Sequence, residues 1–302
     1  MRARPAVLCV RDAGELRHQL ALWRRQGDTI GFVPTMGALH QGHLSLLGLA
    51  RGRTRRVVAS VFVNPTQFGP GEDFNLYPRQ LGTDAALLEE AGCDLLFAPD
   101  VETLYPPGHS TFVDPGGPAI GLEGERRPGH FRGVATVVCT LFHMVRPDAA
   151  VFGEKDAQQL AVVRRMARDL GFDVEIVAAP TVREADGLAM SSRNAYLAAD
   201  ERPAATVLYR ALGAAETAIG GGERRGDEVR RVMREVTGSE PLARLEYAEV
   251  VDAESFQPVE TLRGRVVLAI AARIGRTRLI DNIQLTVGGP PAAGGGAAAA
   301  AR

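Results

Sequence analysis

The sequence predicts an α/β fold in which a parallel sheet is covered by helices on both faces, followed by a smaller C-terminal α+β domain. Three observations predict this fold. Apolar stretches typical of buried strands alternate with helical stretches over about the first 180 residues. Each helical stretch is long enough to form the crossover that parallel strands require. Beyond that point the alternation stops, and helices are followed by a run of strands.

The alternating segments of the first part can be placed individually. The predicted strands are 29–33, 57–63, 94–98, 149–152 and 174–177. The predicted helices are 12–26, 43–53, 80–91, 133–145 and 156–170. Gly92 and Gly171 follow two of these helices, where a left-handed residue commonly ends a helix. These segments predict a Rossmann-like domain over residues 1–181.

The second domain is predicted over residues 182–287. A capped helix start at 200–203, with proline in the first turn, opens a helix that runs to Ile219 and ends at the glycines 220–222. A second helix fits 226–236, and strands fit 245–251, 265–271 and 278–283. Residues 288–302 are Gly, Ala and Pro except for the final Arg302. With almost nothing to bury, this tail is predicted to be disordered.

Composition excludes several classes of protein. The chain has 302 residues, 45% of them hydrophobic, and its 35 basic and 36 acidic residues leave a net charge of -1. A balanced charge argues against nucleic-acid binding through a broad basic face. No apolar run approaches the length of a membrane span, and the run at residues 6–10 is too short for a signal peptide. The three cysteines are far apart, which predicts reduced core residues and a cytoplasmic location rather than disulfides or a metal site.

Lys155 is the only lysine in the chain, so every other basic residue counted with it is an arginine. This composition indicates a bias that replaces lysine by arginine wherever either is adequate. A lysine that remains is a candidate for chemistry that needs a compact, flexible charge rather than a planar guanidinium. The alternative is a lysine that survives on the surface by chance.

The segment 34–43, with the sequence PTMGALHQGH, follows the first predicted strand. The C-terminal ends of strands in open α/β sheets are where ligands bind. A helix starting near Gly42 aims free backbone amides at an anion, and His40 and His43 are spaced to face the same phosphate. Gly42 leaves room for a ribose or a base. The alternative is two histidines in a polar loop.

Two further polar segments follow strands that should end at the same sheet edge. In 62–69, Asn64 and Gln67 offer amide donors and acceptors for a hydroxyl or a carboxylate, although Asn-Pro is also a common turn. In 151–159, Lys155 stands where a helix begins and can reach a phosphate over its N-terminus. Gln159 lies one turn further on the same face.

The segment 189–194 opens the second domain and contains Ser191, Ser192 and Arg193. Two hydroxyls and a guanidinium make a phosphate clamp, while the alternative is an ordinary turn before a helix. No Walker-type phosphate loop, no dinucleotide-binding glycine motif and no nucleophile-elbow motif is present. The sequence therefore offers no serine or cysteine as a covalent nucleophile.

Taken together, these segments resemble a known family. HQGH at 40–43 resembles the His-x-Gly-His signature of a nucleotidyltransferase superfamily, and MSSR at 190–193 resembles its second, mobile phosphate motif. With SVFVNPTQFG, FGEKDAQQL and ARIGRTRLIDN in the same order, the chain from about residue 10 to 287 resembles the pantothenate synthetases, or pantoate–β-alanine ligases.

The resemblance implies an AMP-forming acid–amino-acid ligase. Such an enzyme condenses (R)-pantoate with β-alanine to pantothenate through a pantoyl-adenylate intermediate, and it releases AMP and pyrophosphate. ATP is then a substrate, accompanied by Mg²⁺ that phosphates and waters hold, so no protein metal ligands are expected. The resemblance also implies a homodimer, and no nucleic-acid or membrane partner. It makes 1–181 the domain that binds ATP and pantoate, and 182–287 a lid domain.

The resemblance assigns roles residue by residue. His43, His40 and Lys155 are the expected catalytic residues. Gln67 is expected to bind pantoate and β-alanine, and Gln159 to bind pantoate. Residues expected to bind ATP are Met36, Gly37, Ala38, Leu39, His40, Gln41, Gly42, His43, Gly153, Glu154, Lys155, Asp156, Val182, Met190, Ser191, Ser192 and Arg193. Five further residues lie in segments that match the family, and the resemblance gives them no firm role: Asn64, Tyr77, Asp84, Glu123 and Arg127.

The chain departs from the family at two positions that bear on pocket packing. Position 157 is alanine where an aromatic residue is usual, and position 66 is threonine where an apolar residue is common. The nearest alternative function is a nucleotidyltransferase of the same fold that retains the nucleotide on its product. An aminoacyl-tRNA synthetase would need a basic tRNA-binding face, and a non-enzymatic nucleotide-binding module gives the lone lysine no role.

Overall fold

A computed structural model gives the structure of residues 6–288. Its first sheet has six parallel strands in the order β1-β4-β3-β2-β5-β6, and its second has three antiparallel strands in the order β7-β8-β9. The predicted α/β fold with a smaller α+β part is confirmed. The predicted tail at 288–302 lies, except for Gly288, outside the described residues.

The strands are Leu8–Val10 (β1), Ile30–Thr35 (β2), Arg56–Val61 (β3), Leu95–Phe97 (β4), Ala149–Gly153 (β5), Glu175–Ala179 (β6), Ala243–Asp252 (β7), Gly264–Ile274 (β8) and Thr277–Val287 (β9). The α-helices are Ala13–Arg25 (α1), Gln41–Arg51 (α2), Leu81–Glu90 (α3), Val101–Leu104 (α4), Glu123–Arg126 (α5), His130–Val145 (α6), Ala157–Asp169 (α7), Glu201–Ala204 (α8), Val207–Gly220 (α9) and Gly226–Gly238 (α10). All five strands predicted in the first sheet are present, together with β1, which the sequence analysis missed.

Three predictions about local structure need correction. The helix expected from 200 to 219 is split into α8 and α9, and Asp200 adopts helical dihedral angles, so its side chain does not cap α8. The helix expected at 133 already begins at His130. The prediction that all three cysteines lie in the core is wrong for Cys9, which is exposed on edge strand β1.

The first sheet is buried on both faces, as its nearly continuous apolar strands require. On one face Phe32 and Phe97 pack with side chains of α1, α6 and α7. On the other face Val33 and Leu96 pack with α2 and α3. Within residues 6–288, no helix is both long and apolar enough to cross a membrane.

The second sheet packs against helices on both of its faces. One face rests on α9 and α10. The other contacts α7, where Ala157 is buried among residues that include Phe256 and Val267. The small side chain at 157 therefore packs between α7 and the second sheet. Arg278 of β9 also forms two hydrogen bonds of 2.7 Å with Glu123 of α5, which fastens the second sheet to the first part of the chain.

Candidate active site

A cleft lies at the edge of the first sheet where β2, β3, β5 and β6 end, and the segment 190–193 borders it. Parallel strands point their C-terminal ends to one edge, which is why loops distant in sequence meet there. The predicted residues that line the cleft are Met36, His40, Gly42, His43, Gln67, Gly153, Lys155, Asp156, Gln159, Val182, Met190, Ser191, Ser192 and Arg193. Those not on its wall are Gly37, Ala38, Leu39, Gln41 and Glu154.

The loop after β2 is held by a buried carboxylate. Asp84 of α3, 1% exposed, accepts hydrogen bonds from the amides of Ala38 and Leu39 at 3.1 and 2.9 Å. Gly37 and Ala38 both have positive φ angles, 84° and 52°, which an alanine adopts only at a cost in strain. Asp84 and these residues therefore shape the loop that presents His40, rather than forming the wall themselves.

His40 and His43 form a mutually capped pair at the start of α2. The His40 amide donates to Nδ1 of His43 at 3.3 Å, and the Gly42 amide donates to Nδ1 of His40 at 3.1 Å. Their ring centroids are 4.1 Å apart. The Gly42 amide, predicted to be free for an anion, is thus occupied, because the N-cap residue is itself a histidine.

Burial keeps both imidazoles neutral. Burial, with a smaller contribution from the charge of His40, lowers the pKa of His43 from 6.5 to about 3. Burial and the charge of Lys155 lower the pKa of His40 as well. A neutral imidazole that accepts at Nδ1 carries its proton on Nε2, so each ring is a hydrogen-bond donor at Nε2.

Gly42 makes room for a protein side chain. A Cβ atom at this position would lie 2.8 Å from the His40 ring. The sequence predicts that Gly42 leaves space for a ribose or a base. The structure gives a second reason for glycine at this position, which is the closeness of the His40 ring. Without this glycine the His40 ring could not fold back over the helix N-terminus.

The amide of Gln67 is oriented by its neighbours. Asn64 donates from Nδ2 to Oε1 of Gln67 at 3.1 Å, which leaves Gln67 Nε2 directed toward Met36 Sδ at 3.1 Å. The side-chain oxygen Oδ1 of Asn64 accepts from the hydroxyls of Tyr105 and Thr66, both at 2.9 Å. The hydroxyl of Thr66, at the position where the family is commonly apolar, therefore joins the network that fixes Gln67.

The turn that carries Gln67 is packed closely against α6. A Cβ atom on Gly133 would lie 2.3 Å from the Thr66 carbonyl oxygen, so only glycine permits this approach. The Gly133 carbonyl accepts a second hydrogen bond from Asn64, at 3.1 Å. Asn64 is 1% exposed, so beyond forming the Asn-Pro turn that the sequence indicates, its side chain holds this turn against α6.

His130 and Arg127 also border the cleft, and they hold the same turn. Burial and the charge of Arg127 lower the pKa of His130 to about 4, so this ring is neutral. Its Nδ1 lies 2.9 Å from the Gln67 carbonyl oxygen and acts as the donor there, while Nε2 accepts from Arg127 at 3.1 Å. Arg127 pairs with Glu72 through two hydrogen bonds of 2.8 and 2.7 Å.

His130 was missed by the sequence analysis, which started its helix too late. The available signal was a histidine three residues after Arg127, at the beginning of α6. Tyr105 was missed for another reason: it is brought to Asn64 from 41 residues away in the chain. A contact of that span leaves no local pattern.

Lys155 stands on a short 3₁₀ turn, Glu154–Asp156, directly before α7. Its Nζ is 3.9 Å from Asp156 Oδ1, and its side chain is 21% exposed. Among the described residues, neither Lys155 Nζ nor the side-chain amide of Gln159 makes a hydrogen bond, and both groups line the cleft. Both polar groups therefore remain available to a ligand in the cleft.

The segment 191–193, which lines the cleft, is fastened to residues of the first part of the chain. Arg193 donates to Asp73 from Nε and Nη2 at 3.0 and 2.9 Å. The hydroxyls of Ser192 and Tyr77 are 3.5 Å apart. The guanidinium predicted to bind phosphate is thus paired with a carboxylate in this state. Within residues 6–288, no group of three or more His, Cys, Asp or Glu is arranged to hold a metal ion.

Comparison with known proteins adds independent findings. A family model described as pantoate-beta-alanine ligase matches residues 8–284. A pantothenate synthetase from Heliobacterium modesticaldum is 58% identical over 263 residues, covering 87% of this chain and 94% of that protein. One from Rubrobacter xylanophilus is 55% identical over 289 residues, covering 93% and 99%.

Two solved structures share the fold. The pantothenate synthetase of Thermus thermophilus superposes with a TM-score of 0.87 at 52% identity, covering 92% of this chain and 99% of that one. A pantoate-beta-alanine ligase from Francisella tularensis, described as complexed with beta-gamma ATP and beta-alanine, has a TM-score of 0.75 at 33% identity, covering 92% and 97%.

Proposed function

The chain belongs to the pantoate–β-alanine ligase family, and from this membership we propose how its cleft carries out the family's reaction. In that reaction (R)-pantoate and β-alanine are condensed to pantothenate at the expense of ATP, which becomes AMP and pyrophosphate. The observation that carries the proposal is the meeting of His40, His43 and Lys155 with Gln67 and Gln159 in one cleft.

In the first step, a carboxylate oxygen of pantoate attacks the α-phosphorus of ATP. The bond from that phosphorus to the pyrophosphate oxygen breaks, which gives pantoyl adenylate and pyrophosphate. We assign the Nε2–H donors of His40 and His43, with the Lys155 ammonium, to the phosphate oxygens on which negative charge increases. Preorganised donors of this kind stabilise a transition state without reorganisation.

Gln67 and Gln159 are assigned to pantoate. Pantoate offers a carboxylate and two hydroxyls, and each amide can donate to one and accept from the other. Asn64 orients the Gln67 side-chain amide at 3.1 Å before any ligand arrives, and it leaves Nε2 directed toward Met36 Sδ on the cleft wall. Holding both reactants in place is a large part of catalysis, because the substrates bring their own nucleophiles.

In the second step, the amine of β-alanine attacks the activated carbonyl carbon of pantoyl adenylate. The amine loses a proton to solvent, the bond from carbonyl carbon to phosphate oxygen breaks, and AMP leaves. We assign Gln67 to β-alanine as well as to pantoate. The remaining predicted ATP residues are assigned to the nucleotide, either on the cleft wall or, as with Ala38 and Leu39, through the loop they form.

We propose that Mg²⁺ accompanies ATP. Asp156 is the one carboxylate on the cleft wall within the described part of the chain, and 49% of its side chain is exposed. A single accessible carboxylate suits an ion held mainly by phosphate oxygens and water. The ion would neutralise charge on the triphosphate.

We also propose that 182–287 is a lid domain over the domain 1–181, and that the protein is a cytoplasmic homodimer. The pairing of Arg193 with Asp73 supports a lid, because it joins a cleft-lining residue of 182–287 to the first part of the chain. The free thiols of Cys9, Cys93 and Cys139 suit a reducing compartment. Analytical ultracentrifugation tests the dimer, and a single species at monomer mass would contradict it.

Omitting each substrate in turn tests the proposed function. With ATP and pantoate alone we expect pyrophosphate release, and with β-alanine added we expect AMP and pantothenate in equal amounts. Pyrophosphate release that does not need pantoate would contradict the proposal. A nucleotide retained on the final product would instead indicate the related nucleotidyltransferase, which no feature of the cleft favours.

A further inference from the structure

The last motif of the resemblance ends at Asn282, which has no role in the reaction described above. Asn282 lies on β9 and is 6% exposed. Its side-chain Nδ2 donates to two successive carbonyl oxygens, those of Glu154 at 2.9 Å and Lys155 at 2.8 Å. A strand of the second sheet thus reaches across to the turn that carries the only lysine.

These two hydrogen bonds act where the backbone is still irregular. The 3₁₀ turn Glu154–Asp156 ends before α7 begins at Ala157, and no side chain caps the start of α7. The dihedral angles of this turn set the direction in which the Lys155 side chain leaves the backbone. The buried side-chain amide of Asn282 donates both of its protons to this turn and therefore restrains the backbone at Lys155.

The neighbouring residue fastens the same strand to a second part of the cleft. Asp281, 4% exposed, accepts hydrogen bonds of 2.6 and 3.0 Å from Arg183. Arg183 also donates to the Asn282 carbonyl at 3.2 Å. Arg183 comes directly after Val182 in the chain, and the Val182 carbonyl accepts a hydrogen bond from the Met190 amide at 2.9 Å. The middle of β9 is thereby linked to the segment that leads to Met190.

We propose that Asn282 is a positioning residue for Lys155. By holding the carbonyls of Glu154 and Lys155, it places the ammonium against the triphosphate. The hydrogen bonds of Arg183 to Asp281 and to the Asn282 carbonyl also fix the position of the Lys155 turn relative to the segment 182–190. This inference rests on the proposed function, because it requires Lys155 to act in the adenylation step.

The test is a double-mutant cycle on pyrophosphate release with ATP and pantoate. Asn282→Ala should slow this step by about tenfold to a hundredfold, since a displacement of about 1 Å can cost on the order of 10²-fold. Asn282→Ser, which keeps one donor, should show a smaller defect. The second half-reaction, measured with preformed pantoyl adenylate, should change by less than about threefold, because charge on the triphosphate plays no part in it.

In the Lys155→Ala background, Asn282→Ala should slow pyrophosphate release little further, because residues that act through one another are not additive. Gln158→Ala is the matched control. Gln158 is 5% exposed, and its Nε2 donates to the carbonyls of Pro118 at 2.9 Å and Gly121 at 3.1 Å, away from the Lys155 turn. Any effect of Gln158→Ala should multiply with that of Lys155→Ala.

The outcomes separate the inference from its premise. If Lys155→Ala is slow and Asn282→Ala multiplies with it, Asn282 only supports the fold, so the inference is wrong while the proposed function stands. If Lys155→Ala leaves pyrophosphate release unchanged, the assigned role of Lys155 fails and the inference fails with it. Should Asn282→Ala not fold, the cycle is completed with Asn282→Ser and judged by the same criterion.

Discussion

The main-chain amide of His40 donates a hydrogen bond to Nδ1 of His43, with 3.3 Å between the two nitrogens. Because the Gly42 amide occupies Nδ1 of His40 in the same way, neither ring has a free acceptor nitrogen in its neutral form. Both rings therefore present a proton on Nε2. This geometry suits donors to phosphate oxygens and does not suit a general base.

Replacing His43 by alanine should slow pyrophosphate release by about 10²–10³-fold, because one preorganised donor to a developing charge is worth that much. Rapid-quench measurement with ATP and pantoate checks the rate. His143→Ala, at an exposed position on α6, is the control and should behave like the wild type. A His43→Ala rate within about threefold of wild type, far below the expected loss, would show that His43 is not catalytic.

Gln67→Ala and Gln159→Ala should raise the KM for pantoate more than the KM for ATP. Each variant loses a hydrogen bond between an amide and a charged or hydroxyl group of pantoate, worth roughly 1.5–3 kcal/mol when the partner is charged. Steady-state kinetics with each substrate varied separately measures both constants. If the KM for ATP rises as much or more, these residues belong to the nucleotide site.

Lys155→Arg should fail to restore what Lys155→Ala loses. The lysine ammonium is a compact charge on a flexible stem, whereas a guanidinium is wider and prefers two fixed acceptors. We expect the defect in pyrophosphate release and a smaller one in the second half-reaction, started from pantoyl adenylate. Near wild-type pyrophosphate release by Lys155→Arg would mean that the single lysine is an accident of composition.

Mild acid should destabilise the protein through its buried histidines. Burial and the charge of Arg127 lower the pKa of His130 from 6.5 to about 4, so the unfolded chain binds the proton more readily than the folded one. The stability associated with the neutral ring is therefore present above pH 6.5 and is lost as the pH falls toward 4. His43 contributes with the same sign.

For one such histidine, the free energy of unfolding should fall by about 1 kcal/mol per pH unit between roughly pH 6 and pH 5. In His130→Gln that slope should be shallower by the same amount. Urea denaturation at a series of pH values measures it. An unchanged slope in His130→Gln would show that His130 is not held neutral by the fold.

The fold could be predicted from the sequence wherever a repeated pattern records burial. Strands β2 and β3 are mainly apolar along their length, because helices cover both faces of the first sheet. Strand β1 lies within the apolar run 6–10, but it has only three residues and is defined by its pairing with β4, far along the chain, so the run alone does not identify a strand. Likewise, Asp200 has the right residue type for a cap, yet its backbone is already helical.

The site could be predicted to the level of its segments but not of its contacts. The polar residues after strands β2, β3 and β5 were recognisable because parallel strands share an edge. The pairing of Arg193 with Asp73, 120 residues apart, is set by tertiary packing alone. The same is true of Asn282, whose partners are the carbonyls of a turn more than a hundred residues earlier.

The central claim is that pantoate is activated as its adenylate in this cleft. It is tested most directly with pantoate whose carboxylate carries a heavy oxygen isotope. Attack of that carboxylate on the α-phosphorus, followed by cleavage of the carbonyl–oxygen bond, must transfer one labelled oxygen to AMP. We expect mass spectrometry to find the label in AMP and in pantothenate, and none in pyrophosphate. Unlabelled AMP would contradict the account.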